Sequence, residues 1–222
     1  MKPLAITLTL ARKPIVLGDD LLHLDGVLAW LVARQRADQG SDTMRTPDEL
    51  PLAREQRGNA WCYKASAFAF YGVEFGGALE LRRSAQDFAF ALTSPATKAP
   101  NIKVFRDEAQ YKMWNLRFPF FYASKACAWC IGDEDAIRRV IRDLRYIGKL
   151  ARLGCGQVLR VGVQYDERAH ELWQYRHLPW PQEDYAQIFG RCTPPYWDRI
   201  GFSPSCWRPV FRLSMRGIRH RV

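Results

Sequence analysis

The sequence lacks a long apolar run, and it lacks the features of an export signal. No stretch approaches the ~20 apolar residues that a membrane-spanning helix needs. Residues 1–6 provide neither the apolar core nor the cleavage site of a secretory signal. We therefore expect a cytoplasmic protein that does not enter a membrane. In that compartment the six cysteines are expected to be reduced thiols.

The sequence also lacks recognisable motifs for a cofactor or a metal. It contains no Walker loop, Rossmann fingerprint or nucleophile elbow, and we expect no cofactor. Cys127 and Cys130 have a spacing typical of metal ligands, but no second close pair accompanies them. They lie in an apolar run that is typical of a strand, where a spacing of three directs two side chains to opposite faces. Buried structural thiols are the preferred interpretation, and we predict no metal.

Acidic residues are too few to balance the basic ones. There are 33 Lys and Arg against 23 Asp and Glu, which gives a formal net charge of +10. Such a charge attracts polyanions, either nucleic acid or an anionic membrane surface. Arginine supplies most of the positive charge, and its guanidinium can bind phosphates bidentately and stack on bases. The composition therefore favours RNA or DNA as the partner.

Apolar periodicity predicts elements in the order strand, helix, strand, strand, helix, strand. They cover residues 4–10, 24–37, 61–75, 116–131, 132–148 and 158–165. This order predicts an α+β fold of the ferredoxin-like class, with helices on one face of a four-stranded antiparallel sheet. Residues 1–165 would form this domain.

Two polar segments interrupt the predicted domain, and a third segment follows it. We expect insertions at about 38–60 and 82–115, the second being a protruding basic loop. Residues 166–222 form a Trp- and Pro-rich C-terminal extension with a basic tail. The candidates for contacts with RNA, DNA or neighbouring subunits in these segments are Arg82, Arg83, Lys98, Lys103, Arg106, Lys112, Arg216 and Arg219. A solvated charged loop is the alternative interpretation of the second insertion.

The junction between the last predicted helix and strand carries the strongest binding signal. Three arginines are spaced for one flank of the helix, and glycines follow that let backbone amides approach a phosphate. The predicted RNA-binding residues are Arg138, Arg142, Arg145, Gly148, Lys149, Arg152, Gly154, Cys155, Gly156 and Gln157. Taken alone, a glycine pair before a strand is more often a helix stop followed by a tight turn.

The helix, glycine segment and strand in residues 137–163 resemble the hallmark of RAMP-superfamily proteins, the ferredoxin-like RNA binders of CRISPR systems. The runs Ile6-Thr-Leu-Thr-Leu, Pro14-Ile-Val and Leu22-His-Leu-Asp-Gly-Val-Leu-Ala are similar to the start of the Cas-five-type subunit of type IV CRISPR effectors. The resemblance implies a subunit without catalytic activity that holds the 5′ handle of a crRNA. It also implies contacts with the backbone and large subunits, and help in binding target double-stranded DNA.

Two alternatives remain open. Relatives with the same fold cut precursor crRNA, commonly with a histidine as general acid or base. His23, near the first helix, is the candidate for that endoribonuclease activity, but the sequence offers it no convincing partner. A general single-stranded nucleic-acid-binding or membrane-surface-binding protein is the other alternative. The sequence favours the crRNA binder.

Overall fold

The computed structural model describes residues 1–18, 21–38, 40, 49–83, 114–196 and 203–209. The strands are β1 (Lys2–Leu10), β2 (Arg54–Arg57), β3 (Ala60–Tyr63), β4 (Ala69–Tyr71), β5 (Glu74–Arg83), β6 (Trp114–Tyr122), β7 (Lys125–Gly132), β8 (Val158–Tyr165), β9 (Tyr185–Gly190) and β10 (Ser203–Pro209). The helices are α1 (Leu24–Asp38), α2 (Glu134–Ile141) and α3 (Ala169–Leu172). None of the helices in this part of the chain has the length and apolar character needed to cross a bilayer.

A four-stranded antiparallel sheet in the order β4-β7-β1-β8 organises the fold. β1 lies at its centre and pairs with β7 and β8. Alternate side chains of β1, from Leu4 to Leu10, point to one face and are buried there. The predicted α+β class with a four-stranded antiparallel sheet is confirmed. If the four strands of this sheet are numbered by their order along the chain, their order across the sheet is 2-3-1-4.

The main core lies between this sheet and the two longer helices. Leu24, Leu28 and Leu31 of α1 and Ile137 and Ile141 of α2 are buried against it. Each such side chain contributes about 1.5–3 kcal/mol when it leaves water. The predicted first helix is confirmed. The predicted start of the second helix is also confirmed, because the Asp133 carboxylate accepts a hydrogen bond from the Ala136 amide (2.9 Å) and caps α2.

Cys127 and Cys130 of β7 lie on opposite faces of the sheet, as the spacing predicted. Cys130 belongs to the main core, whereas Cys127 packs with Ala5, Trp129 and Ala169 on the other face. The short helix α3 covers that part of the second face. Both thiols are buried, and burial raises their pKa values, that of Cys130 to about 12. Their position agrees with a structural role in packing.

The second helix is shorter than predicted, because α2 ends at Ile141 instead of reaching Gly148. The chain leaves the helix because pairing outside it competes with further helical hydrogen bonds. Tyr146 forms a bridge with Gln157, and the Ile147 amide donates to the Gly156 carbonyl (2.9 Å). Periodicity cannot reveal such partners, since they lie about ten residues further along the chain. The last predicted strand, in contrast, matches β8.

The two predicted insertions contain paired strands in their described parts. β2 pairs with β3 inside the first insertion, at Arg54–Arg57. β5 and β6 form a second hairpin, in which Arg82 pairs with Asn115. Pro119 lies within β6, opposite Ala78, and β6 is an edge strand of this two-stranded sheet, where a proline is tolerated.

The expectation that every cysteine is a free thiol is wrong for one pair. Cys192 and Cys206, which lie after β9 and within β10, form a disulfide with a sequence separation of 14. The hydrogen-bonded pairing of β9 with β10 brings the two residues together. Their spacing along the sequence did not suggest this proximity. Cys62, Cys127, Cys130 and Cys155 are free and buried.

Candidate nucleic-acid interface

A groove of about 490 Å³ lies between α2, the segment that follows it, and the edge strand β8. Its floor is apolar and includes Ile141, Leu144, Val161 and Val163. Five arginines line it: Arg138, Arg139, Arg142, Arg145 and Arg160. We call this feature the arginine groove. An apolar floor with a cationic rim can accept bases or riboses below and phosphates above.

The three arginines predicted from helical spacing do meet at the groove, but by a different route. Arg138 lies on α2, Arg142 caps its C-terminal end, and Arg145 lies beyond the helix. The Val158 amide of β8 donates to the Arg145 carbonyl (2.8 Å) and fixes that segment beside the strand. Helical periodicity had predicted that Arg145 lies beside Arg138 and Arg142. A hydrogen bond to β8, and not the helix, brings it there.

Four of the groove arginines keep their positive charge unpaired within the described part of the chain. Arg139, Arg142, Arg145 and Arg160 are exposed and form no ion pair with another described residue. Arg138 differs, since it forms an ion pair with Glu134 (2.8 Å) and donates to the Val163 carbonyl of β8. The bonds from Arg138 and then Lys2 lower the pKa of Glu134.

Two groove residues escaped the sequence analysis. Arg139 is on α2 beside Arg138, but it lies outside the i, i+4, i+7 series from which the groove arginines were predicted. Arg160 lies in β8 among valines, and an exposed arginine in an otherwise apolar strand was the signal that could have identified it. Its position opposite Thr9 of β1 is a consequence of strand register. The sequence alone does not specify that register.

The glycines of the segment 148–157 adopt the left-handed conformation that the prediction required. Gly148 has φ +76° and Gly156 has φ +65°. A Cβ on Gly148 would lie 2.3 Å from the Val16 carbonyl oxygen, and one on Gly156 would lie 2.0 Å from that of Ile147. These two glycines therefore permit close packing of the segment against the preceding chain.

The backbone amides of this segment are engaged within the protein. The Lys149 amide donates to Val16 (2.7 Å) and the Gly156 amide to Pro14 (2.8 Å). An amide bonded in this way cannot also point at a phosphate, so these two amides do not belong to the cradle of free amides that the glycines suggested. Its charge comes from the exposed side chains of Lys149 and Arg152.

The remaining predicted residues of the segment support its shape. Cys155 is buried, and burial raises the pKa of its thiol. The Gln157 carbonyl accepts a hydrogen bond from the Ala11 amide (2.9 Å). Gly154 has φ +78° with open space around its Cα. These three residues hold the segment in place and present Lys149 and Arg152 beside the start of β8.

His23, the candidate for endoribonuclease chemistry, lies in a buried polar cluster at the start of α1. Its side chain is 6% exposed, and neither ring nitrogen has a hydrogen-bond partner among the described residues. The ring stacks on Tyr196 (4.8 Å between centroids) and makes an edge contact with His177 (4.7 Å). Burial, followed by the charge of Arg176, lowers the pKa of His23 well below its usual value.

The charged side chains of this cluster form a buried ion pair. The Arg176 guanidinium lies 2.9 Å from the Asp25 carboxylate, and both side chains are fully buried. Arg176 also donates to the carbonyls of Tyr63 (2.8 Å) and Ala65 (3.0 Å). These contacts are all internal to the protein and hold the start of α1 against the segments at Tyr63 and Arg176. The described residues contain no group of three or more His, Cys, Asp or Glu side chains suited to a metal ion.

The other candidate contacts are only partly covered by the described residues. Arg82 lies on β5, exposed and paired with Glu80, and Arg83 ends that strand. Outside the described residues lie Lys98, Lys103, Arg106, Lys112, Arg216 and Arg219. Among the described residues, the predicted contact residues that lie close together are those of the arginine groove and of the segment 148–157.

Comparison with known proteins identifies the family to which this chain belongs. No curated protein matches the chain. Residues 2–206, nearly the whole length, match the family described as CRISPR type IV associated protein Csf3. The match spans β1, the arginine groove and the segments up to β10, which agrees with the type IV CRISPR resemblance of the sequence. The chain belongs to the Csf3 family of CRISPR type IV associated proteins.

Proposed function

We propose that this Csf3-family chain is a non-catalytic crRNA-binding subunit that holds the 5′ handle in its arginine groove. The observation that carries the proposal is the set of four exposed groove arginines without an ion pair among the described residues. Like charges gathered around one groove repel one another, and an anion that lies between them relieves that repulsion. A phosphate backbone is the polyanion with suitable spacing and charge.

The architecture supports a ferredoxin-like fold of the RAMP, Cas-five type. The strand order, second, third, first and fourth, agrees with two split β-α-β units. Both longer helices pack on one face of the sheet. In this arrangement the groove lies between the second helix and the last strand, next to the glycine segment that carries the RAMP resemblance.

Recognition of the handle would depend on shape and backbone, with some contact to bases. Guanidinium groups on the rim bind phosphates, and each neutralised phosphate releases counterions. The apolar floor accepts an unstacked base, since single-stranded RNA exposes its bases. Lys149 and Arg152 extend the cationic rim toward the segment 148–157.

The position of His23 favours binding over cleavage. A general acid or base must come within hydrogen-bond reach of the reacting RNA atoms. Both ring nitrogens of His23 are buried, and its low pKa keeps the ring neutral near pH 7. An endoribonuclease that processes precursor crRNA is the second candidate, and the experiment below includes its outcome.

Contacts with the backbone and large subunits, and through the complex with target double-stranded DNA, belong to the same proposal. The β5–β6 hairpin is the surface that supports them. Its side chains alternate between a charged face with Glu80 and Arg117 and an apolar face with Leu116 and Phe118. Leu116 is 47% exposed and Phe75, near the base, is 93% exposed. Exposed apolar side chains on a hairpin are typical of a surface that contacts another subunit.

The test measures binding and cleavage of labelled repeat RNA by the purified protein. We expect tight binding that depends on the handle sequence, without cleavage. Replacing Arg142 and Arg145 with Ala should weaken binding and reduce the slope of log K against log salt by about 0.7 for each lost phosphate contact. Arg36→Ala, which removes an exposed arginine on α1, is the control and should leave the slope unchanged.

Two results would contradict this function. Site-specific cleavage that disappears in His23→Ala would identify an endoribonuclease. Equal affinity for any single strand, with no preference for the handle, would indicate a general single-stranded nucleic-acid-binding protein. Thermal unfolding of each variant should be measured alongside, because Arg142 and Arg145 are exposed and their removal should leave the fold intact.

A further inference from the structure

The face of the sheet opposite the two longer helices carries a second row of polar side chains. Strand register places Arg160 opposite Thr9, Thr9 opposite Lys125, and Lys125 opposite Tyr71. Directly opposed residues of an antiparallel sheet point to the same face. Arg160, Thr9, Lys125 and Tyr71 therefore form one line across four strands, which we call the sheet row. Three strand spacings of ~4.8 Å give it a length of about 14 Å.

Beside the sheet row lies a line of small residues. Gly162 is opposite Thr7, Thr7 is opposite Cys127, and Cys127 is opposite Ala69. The Thr7 hydroxyl lies 3.9 Å from the Cys127 sulfur, which agrees with a shared face. A Cβ on Gly162 would have only Thr7 within 4 Å, at 3.9 Å. The surface is low at Gly162 and Thr7, whereas Cys127 is buried beneath α3. A chain that crosses this face can therefore approach the backbone of the sheet at β8 and β1.

The charge of this surface is positive. Arg160, Thr9 and Lys125 are exposed, and neither Arg160 nor Lys125 forms an ion pair with another described residue. Asp166, which directly follows β8, is already bonded to Arg168 (2.7 Å) and to the Trp129 indole (3.1 Å). The sheet row therefore complements an anion instead of a basic segment.

Arg160 connects this surface with the arginine groove. It lies on the edge strand β8, lines the groove and begins the sheet row. β8 is the last strand of the sheet, so a flexible chain that leaves the groove can turn around this edge. A double helix is too stiff for such a path, whereas single-stranded RNA can follow it.

We propose that the sheet row is a second subsite for single-stranded RNA, which continues from the arginine groove around β8 to Lys125 and Tyr71. This inference rests on the proposed function, since the same RNA must first occupy the groove. Lys125 and Arg160 bind phosphates, and the low surface at Gly162 and Thr7 receives the riboses. A neighbouring protein segment on this face is the competing occupant.

The test compares two RNAs of the handle sequence, of about 4 and about 12 nucleotides, which span the usual site sizes of single-stranded binding folds. Lys125→Ala should weaken the longer RNA about threefold to tenfold and leave the shorter one unchanged. Its salt slope for the longer RNA should fall by about 0.7. Gly162→Val adds a side chain in open space, so it should weaken the longer RNA without a change in slope and without loss of thermal stability.

The outcomes separate this inference from the proposed function. If Arg142→Ala with Arg145→Ala weakens both RNAs while Lys125→Ala and Gly162→Val alter neither, the sheet row is not an RNA site and the groove stands. If the Arg142 and Arg145 double variant binds both RNAs as tightly as the parent, the proposed groove itself is wrong. Arg36→Ala is again the charge-matched control and should alter neither RNA.

Discussion

Replacing Gly156 with alanine tests whether close packing is the reason why glycines occur in the segment 148–157. The matched control is Gly154→Ala, because both glycines have positive φ, +65° and +78°, in the same segment. Alanine in the left-handed region costs about 1–2 kcal/mol, and this cost is common to both variants. The two positions differ in their surroundings. The added Cβ meets nothing within 4 Å at Gly154, and at Gly156 it lies 2.0 Å from the Ile147 carbonyl oxygen.

The structure sets the size of that difference. A real Cβ stays beyond 3.0 Å from such an atom, so the backbone at Gly156 must move by about 1 Å or more. That movement disrupts two hydrogen bonds, from the Gly156 amide to Pro14 and from the Ile147 amide to Gly156. At about 1 kcal/mol for each bond, Gly156→Ala should lower the free energy of unfolding by about 3–4 kcal/mol. Gly154→Ala should lower it by about 1–2 kcal/mol.

Urea denaturation followed by tryptophan fluorescence measures both values, and RNA binding should be measured under folding conditions. We expect Gly154→Ala to bind RNA almost as tightly as the parent, because its amide donates to Ala151 within the protein. Equal loss of stability in the two variants would refute the packing explanation. Loss of RNA binding in Gly154→Ala, with stability nearly intact, would instead show that this backbone contacts the phosphate directly.

Two further predictions concern the buried cluster at the start of α1. Because burial lowers the pKa of His23, its neutral form is favoured in the fold, and its contribution to stability is complete above the unfolded pKa of ~6.5. The thermal unfolding temperature should fall as the pH drops from about 7 to about 5, and the fall should be smaller in His23→Asn. A fall in the variant as large as that of the parent would contradict this. Arg176→Met leaves the Asp25 carboxylate buried without its cation and should cost about 3–5 kcal/mol. Asp25→Asn in the Arg176→Met background should recover part of that loss in urea denaturation, whereas no recovery would mean that packing, not charge, dominates.

Elements fixed by local pattern were predictable from the sequence. The alternation of Leu4, Ile6 and Leu8 identified β1, and the apolar stripe of α1 identified its buried face. The final strand matched the prediction because its apolar run is bounded by the glycine segment. In each case nearby residues contain the information, since a strand or helix exposes its buried face at a fixed period.

Features that depend on distant partners could not be predicted in this way. The end of α2 depends on the bridge between Tyr146 and Gln157, and the disulfide depends on the pairing of β9 with β10. Arg160 joined the groove because strand register brought it there. For the same reason the sequence identified only Arg138, Arg142 and Arg145 among the arginines of the groove.

The internal contacts of Arg176 have a consequence for fragments of this protein. Its guanidinium reaches the carbonyls of Tyr63 and Ala65 and the carboxylate of Asp25, all of which lie in the first third of the sequence. A truncated form that stopped after β8 would lose both the Arg176 cation and the Tyr196 hydroxyl, which donates to the Asp25 carboxylate (3.3 Å). Residues after β8 thus act as an internal counter-ion for the amino-terminal half, and deletion mapping of RNA binding should use point variants instead of shortened chains.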